Sequence, residues 1–486
     1  MIISRAVNKR DKISFADLGN TKGLIPSDVV DRTGGLQYDV EQVEDAIAAN
    51  DNTQMRAISN YFFERGGIYS NLIQYKVDLI SPKYIISAKN IDEKDRESIL
   101  DLVMEGLEYM DMMSLDKQYI EIVRDAFRDG ASFRYYVEGD SAVTLQQLPV
   151  DYCRTRFQAN NLGTVEFDPR YFDTEFRDAD EREKILKMYP KEVQKAYDKY
   201  KAGNLTRDTD GGYWILLDPE NAVAFTYNGN DIPPYMSVIT NIIDLNDERI
   251  LTKRRMEQEL RKILIQRIPT DKDGNFLLSS AESKSLHKFA LKVLSDNEDI
   301  DVLTTFAETE LMDLQESQKI QQNVIGQSEQ VVFTEAGVSS SLFNSDSNTT
   351  QKSSILRDIE TLKYLILSIE VFLNKKLKEV VDEDLWMKII PVSIHTVEEQ
   401  YKRAIEGATY GMPTKMIAAI YNGITQKEFL ELLAFENDVM DLSDIMKPLQ
   451  SSHTQSGDKE EEGGRESSKE EDVTSKTIDN KNAEEG

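Results

Sequence analysis

Residues able to do covalent or metal chemistry are sparse in this chain and scattered along it. The three histidines are His287, His395 and His453, and the one cysteine is Cys153. A zinc site needs histidines and thiolates gathered at close, regular spacing, and that pattern does not occur. His287 falls in a short amphipathic stretch and His395 follows a strand-like one, so both read as surface or core-edge residues. Cys153, with no histidine near it in sequence, reads as a packed strand residue. There is no GxxxxGK[ST] phosphate loop, no GxGxxG fingerprint and no GxSxG elbow. The run Asp271, Lys272, Asp273, Gly274, Asn275 invites comparison with a calcium loop. Setting Gly274 at the sixth position puts Pro269 at the first, where a side-chain ligand is required, so an Asp-Gly turn is the better reading. The carboxylate pairs Glu308 and Glu310, and Asp382 and Asp384, read as solvated faces of an acidic chain. The expectation is a protein without a catalytic centre, metal or cofactor.

Two polar features remain. The stretch TEAGVSSSLFNSDSNTTQKSS, residues 334–354, is long, small and hydroxyl-rich, whereas most connections inside a domain are far shorter. Lys253, Arg254 and Arg255 form a basic cluster in a charged helical segment, facing either a polyanion or the acids of a neighbouring chain, with the second favoured by so acidic a sequence.

The whole chain sets the frame for both. At 486 residues it exceeds one ordinary domain, and 40% hydrophobic content is enough for real cores. Its net charge of −29 argues against simple adhesion to DNA or an anionic membrane. A lone cysteine fits synthesis in a reducing compartment. The N-terminus lacks the apolar core of a secretory signal. The most apolar run, YLILSIEVFL, is too short to span a bilayer and contains Glu370.

The elements that would position these residues follow from periodicity. Residues 1–52 read as a polar arm with a short helix near VEQVEDAIAAN. From 53 to 130 the pattern is helical, broken at Gly66-Gly67, with Asp92 as a cap and Gly130 as a stop. ASFRYYVEGDSAVTLQQLPVDYCRTRFQ alternates and reads as a hairpin turning at 138–140. A helical insert at about 180–202 precedes strands in GGYWILLDP and NAVAFTYNG, joined by a turn at Asp218-Pro219. A helix over 236–262 is expected to falter near Asn246-Asp247. A strand, a short helix around AESKSLHKFALKVLSD and a second strand in DIDVLTT follow, with Ile265, Ile268, Phe276, Val302 and Leu303 as packing residues. A helix leads to the 334–354 stretch. The segment after it predicts one uninterrupted helix, a rod of about 42 Å. LWMKIIPVSI is a strand, TVEEQYKRAIEGATYG and TQKEFLELLAFEN are helices, and the chain beyond about 450 has the composition of disorder. The fold class is α+β, predominantly helical.

This order of elements resembles the portal (head–tail connector) proteins of tailed bacteriophages over roughly residues 50–440. NYFFERGGIYSNLIQYKVDLISP is similar to that family's early helix, and DAFRDGASFRYYVEGD with LQQLPVDYCRTRF to its helix-to-hairpin step. ILIQRIPTDKDG through IDVLTTFAETELMDLQ resembles the clip, a small α/β module inserted between two stem helices. AGVSSSLFNSDSNTTQKSSILRDIE resembles the tunnel loop and the start of the long wing helix.

The resemblance implies an arm (1–52), a wing (53–235), a first stem helix (236–262), a clip (263–312), a second stem helix (313–333) and a tunnel loop (334–354). A long wing helix and strand (355–395), crown-like helices (396–449) and an acidic tail (450–486) complete it. It further implies a homo-oligomeric ring, generally a dodecamer, at one capsid vertex of the virion, synthesised in the bacterial host cytoplasm. Double-stranded DNA passes through its channel, and the terminase large subunit supplies the missing ATP site. Major capsid and scaffolding proteins, and head-completion adaptor or tail proteins, are the other implied partners, with no membrane. On this view Ser339, Ser340, Ser341, Asn344, Ser347, Asn348, Thr349 and Lys352 face DNA, and Asp271 to Asn275 face the terminase. Hydroxyls and amides bond phosphates weakly and exchange readily, while each added cation would add salt-dependent grip. Head-to-tail repetition of one interface closes into a ring. The alternatives are another head-completion ring or scaffold-like protein, or a metal-dependent nuclease built on unassigned acids.

Overall fold

The structure is a computed structural model and describes residues 36–89, 95–139, 143–159, 162–260, 262–267, 279–294, 300–305, 324–338 and 348–440. The expected tail lies outside them, as do the Asp271–Asn275 turn and residues 339–347 of the polar stretch.

The chain enters through α1 (Val40–Ala49), whose N-cap Asp39 forms a capping box with Gln42. Helices α2 (Asn52–Arg65) and α3 (Ile68–Asp78) are separated by Gly66-Gly67, as the sequence predicts. A strand then interrupts the expected helical run, β1 (Ser81–Ala88). Helix α4 (Arg96–Met113) is capped by Asp95, which accepts from the Ser98 amide; the expected cap, Asp92, lies outside the described residues. Helix α5 (Leu115–Arg128) ends before Gly130, at φ +85°. A β-carbon there would lie 2.5 Å from the Asp231 carbonyl oxygen, so both conformation and space demand glycine.

The central sheet is antiparallel. Strands β2 (Ala131–Glu138), β3 (Val143–Gln147), β4 (Cys153–Ala159), β5 (Leu162–Phe167), β6 (Ile215–Leu216) and β7 (Ala222–Thr226) take the order β3-β2-β7-β5-β4, with β6 on β5. The single hairpin expected over 131–158 is therefore two, β2–β3 and β4–β5. The strands flanking Asp218-Pro219 do not pair with each other; β6 pairs with β5, and β7 lies between β2 and β5. Side-chain alternation makes this sheet the middle layer. On β7, Val223 and Phe225 join the larger helical core, while Ala222 and Ala224 join a second core on the opposite face. That second core is closed by α6 (Tyr171–Glu175), α7 (Ala179–Met188) and α8 (Lys191–Lys201). Pro190 splits the expected insert into α7 and α8, since proline removes an amide and disfavours helix in the residue before it.

Helix α9 (Met236–Leu260) runs unbroken through Asn246-Asp247. Strands β8 (Lys262–Arg267) and β9 (Ile300–Thr305) pair in parallel, with α10 (Ser280–Leu294) between them in sequence. Ile265 stands opposite Leu303, and Leu264 opposite Val302; Ile268 and Phe276 lie outside the described residues. Helix α11 (Val324–Glu335) returns to the body. Helix resumes at Asn348, so the polar stretch is helical at both ends and shorter than its sequence suggests.

The expected single rod is two helices, α12 (Asn348–Thr361) and α13 (Lys363–Val380), with a break at Leu362. The apolar run YLILSIEVFL lies in α13, where Leu365, Ile366, Ile369, Phe372 and Leu373 are buried in the core. Among the described residues no helix is long and apolar enough to cross a membrane. Strand β10 (Leu385–Val392) pairs antiparallel with β1 across the length of the chain. Helices α14 (Val397–Thr409), α15 (Lys415–Tyr421) and α16 (Gln426–Ala434) complete the fold; α15 was not expected.

The outer edges of the β1–β10 ribbon are plugged by side-chain amides. Gln426 accepts from the Ile86 amide at 2.6 Å and donates to its carbonyl at 2.9 Å. Asn374 does the same to Met387, at 2.7 and 2.8 Å. Ile86 and Met387 are register partners, so each amide stands in for a missing strand at the same rung.

Candidate functional site

The helix pair α9 and α11 brackets the βαβ module in the chain. The first half of α9 is anchored: Met236, Val238, Ile239, Ile243 and Leu245 are buried. Farther along it, Ile250 and Leu251 are exposed. Here α11 packs against it. Ser328 donates to Glu248, and Arg249 pairs with Glu329. Both members of that ion pair are largely exposed, so it orients the helices more than it stabilises them. Val332, Ala336 and Val338 then bury the returning chain in the core. The module between the two helices exposes apolar side chains on α10, with Phe289 65% exposed. Its N-terminus is fixed by a reciprocal Ser279–Glu282 capping box.

The predicted site residues distribute as follows. Lys253, Arg254 and Arg255 lie on the outer half of α9, Lys253 is exposed, and the side chains of the other two lie outside the description. Asn348, Thr349 and Lys352 belong to the first turns of α12, not to a loop. Ser339, Ser340, Ser341, Asn344 and Ser347 are outside the described residues, as are Asp271, Lys272, Asp273, Gly274 and Asn275. His287 is half-buried on α10, His395 is exposed after β10, and His453 is outside the description. Cys153 is buried on β4, and burial pushes its thiol pKa up, as for a packed residue. Asp382 accepts from the Asp384 amide and turns the chain into β10.

Among the described residues, four buried cationic side chains were missed by sequence reasoning. Arg134, on the interior strand β2, bonds Asp125, Glu121, Ser132 and the Leu145 carbonyl. Arg56 ties α2 to the carbonyls of Asp129 and Val150. Lys376 on α13 donates to Asn221 and Glu379 and lies 4.4 Å from the Tyr136 ring centroid. Lys76 on α3 meets Asp358 on α12 at 2.8 Å, and Tyr75 donates to the other oxygen of the same carboxylate. Burial pulls the Lys76 ammonium below its usual range, with Asp358 offsetting part of that shift. A sequence signal existed: Lys76 follows Leu72 and Ile73 by one helical turn, and Asp358 follows Ile355 by three residues.

The C-terminal helices carry the most exposed apolar surface described. Tyr401, Ile405, Ala408, Ala418, Ala419 and Phe429 line a cleft between α14, α15 and α16. Tyr410 is 74% exposed, and Met412, Leu432, Phe435 and Val439 are exposed nearby in the chain. No protein-family model matches the chain, and no curated protein matches it.

Proposed function

We propose that this chain is a subunit of a phage portal ring, the DNA channel at one capsid vertex used for packaging, retaining and ejecting the genome. The observation that carries the reading is the parallel βαβ module inserted between α9 and α11, two helices that pack on each other and root in one core. That is the stem-and-clip order the sequence resembles. The apolar surface of α14 to α16 supports assembly with further copies, and the acidity of the chain supports passage of DNA without firm grip.

On this reading the subunit does no covalent chemistry. The clip docks the terminase through Asp271 to Asn275, and later the adaptor proteins. Residues 339–352 line the channel with hydroxyls and amides, whose weak phosphate bonds let DNA slide. Deleting Ser339–Thr349 in a producing phage should lower packaged DNA while rings still form; equal loss of both would overturn the assignment of that segment. Disrupting the whole chain should leave capsids without nuclease-protected DNA, and DNA-filled capsids would overturn the function.

A further inference from the structure

Helix α12 meets the core through side chains that include Ile355, Asp358 and the partly buried Ile359. Among those described, Ile355 and Asp358 are buried, while Ser353, Leu356, Arg357 and Glu360 are exposed. Asp358 is 2% exposed and its partner Lys76 is 3% exposed. Both carboxylate oxygens are taken by α3: Lys76 donates to one at 2.8 Å and Tyr75 to the other at 2.8 Å. The same residue shapes the break that follows. Thr361 donates its hydroxyl to the Asp358 carbonyl at 2.6 Å. An unbroken α-helix would give that carbonyl to the Leu362 amide, which bonds Ile359 instead. Threonine bonding back to a carbonyl in its own helix is a recognised cause of bending. The Lys76 ammonium also reaches the Thr361 hydroxyl, at 3.4 Å, so one cluster touches both the clamp and the bend.

We propose that Asp358 is a latch and Leu362 its hinge: the Tyr75–Lys76–Asp358 cluster clamps α12 to α3, and opening it lets α12 turn relative to α13. A buried ion pair adds little net stability over an apolar pair, yet losing one partner strands the other, so it fixes geometry strongly. The inference is independent of the proposed function. If that function holds, the latch also sets where Asn348, Thr349 and Lys352 sit.

The test uses the full chain. Hydrogen exchange is followed by mass spectrometry, and spin-label distances are measured between the exposed positions Arg357 on α12 and Lys378 on α13. In Asp358→Asn, exchange across α12 should rise about 100-fold, with the α12–α13 distance broadened and α3 and α13 protected as before. Unchanged α12 exchange, or a rise shared equally by α2, α3 and α5, would make the pair an ordinary core contact and sink the proposal. The double variant Lys76→Met with Asp358→Leu keeps the core filled should the single variant fail to fold. It should fold with the distance still broadened; a single sharp wild-type distance there would overturn the latch.

Discussion

A buried charge is costly unless every part of it is engaged, which is why the interior arginines and lysines here matter individually. Arg134 sits between Asp125, Glu121 and Ser132, and Asp125 is buried with it. Burial raises the Asp125 pKa even against the pull of Arg134 and Arg128. Replacing Arg134 with Met should cost about 3–5 kcal/mol in urea unfolding, because it strands that carboxylate. Asp173 behaves oppositely. Burial disfavours its charge, but Lys201, Tyr197 and Arg182 outweigh burial and hold its pKa below the usual aspartate value of 3.8. Its folded form binds fewer protons than the unfolded one, so its stabilising contribution is present above that value and lost as pH falls through the folded pKa. Thermal melts of Asp173→Asn across pH should show it less stable than wild type above pH 3.8, with the gap closing below. Residue type alone hides such sites, because arginine, lysine and aspartate are usually exposed. Only their position on apolar helix or strand faces betrays them.

At the scale of elements, the long-range pairing of β1 with β10 is the feature least legible in sequence. SPKYIISA lies in a helical neighbourhood and its partner begins almost three hundred residues later. Local periodicity carries no information about such a partner, though Pro82 is the kind of residue an edge strand tolerates. The α4 cap slipped from Asp92 to Asp95 because several acids precede that helix. The break at Leu362 was invisible because apolar spacing continues through it. By contrast, α1, the Gly66-Gly67 break, β8, β9, β10 and α14 were readable, since each has strong periodicity and clear punctuation. The ribbon also yields a prediction. Gln426→Ala removes both bonds to Ile86 and leaves a buried donor and acceptor unpaired, a cost of about 1–3 kcal/mol. Amide exchange at Ile86 should rise first, before the central sheet opens. A uniform rise would mean that α16 does not guard this edge.

At the scale of the molecule, composition and element order were enough for a predominantly helical α+β protein with a small inserted module. The candidate recognition residues were not legible to the same degree. Polar hydroxyl-rich segments have no packing pattern to fix them, and part of that stretch folds into α12. The proposed function would rest on assembly, through the exposed apolar side chains of the C-terminal helices and the module between α9 and α11. The central claim is that copies of this chain close around a channel. Electron microscopy of the purified full chain tests it most directly. The account predicts turbine-shaped rings with rotational symmetry and an open axial channel wide enough for double-stranded DNA. Closed or irregular particles lacking an axial channel would contradict it.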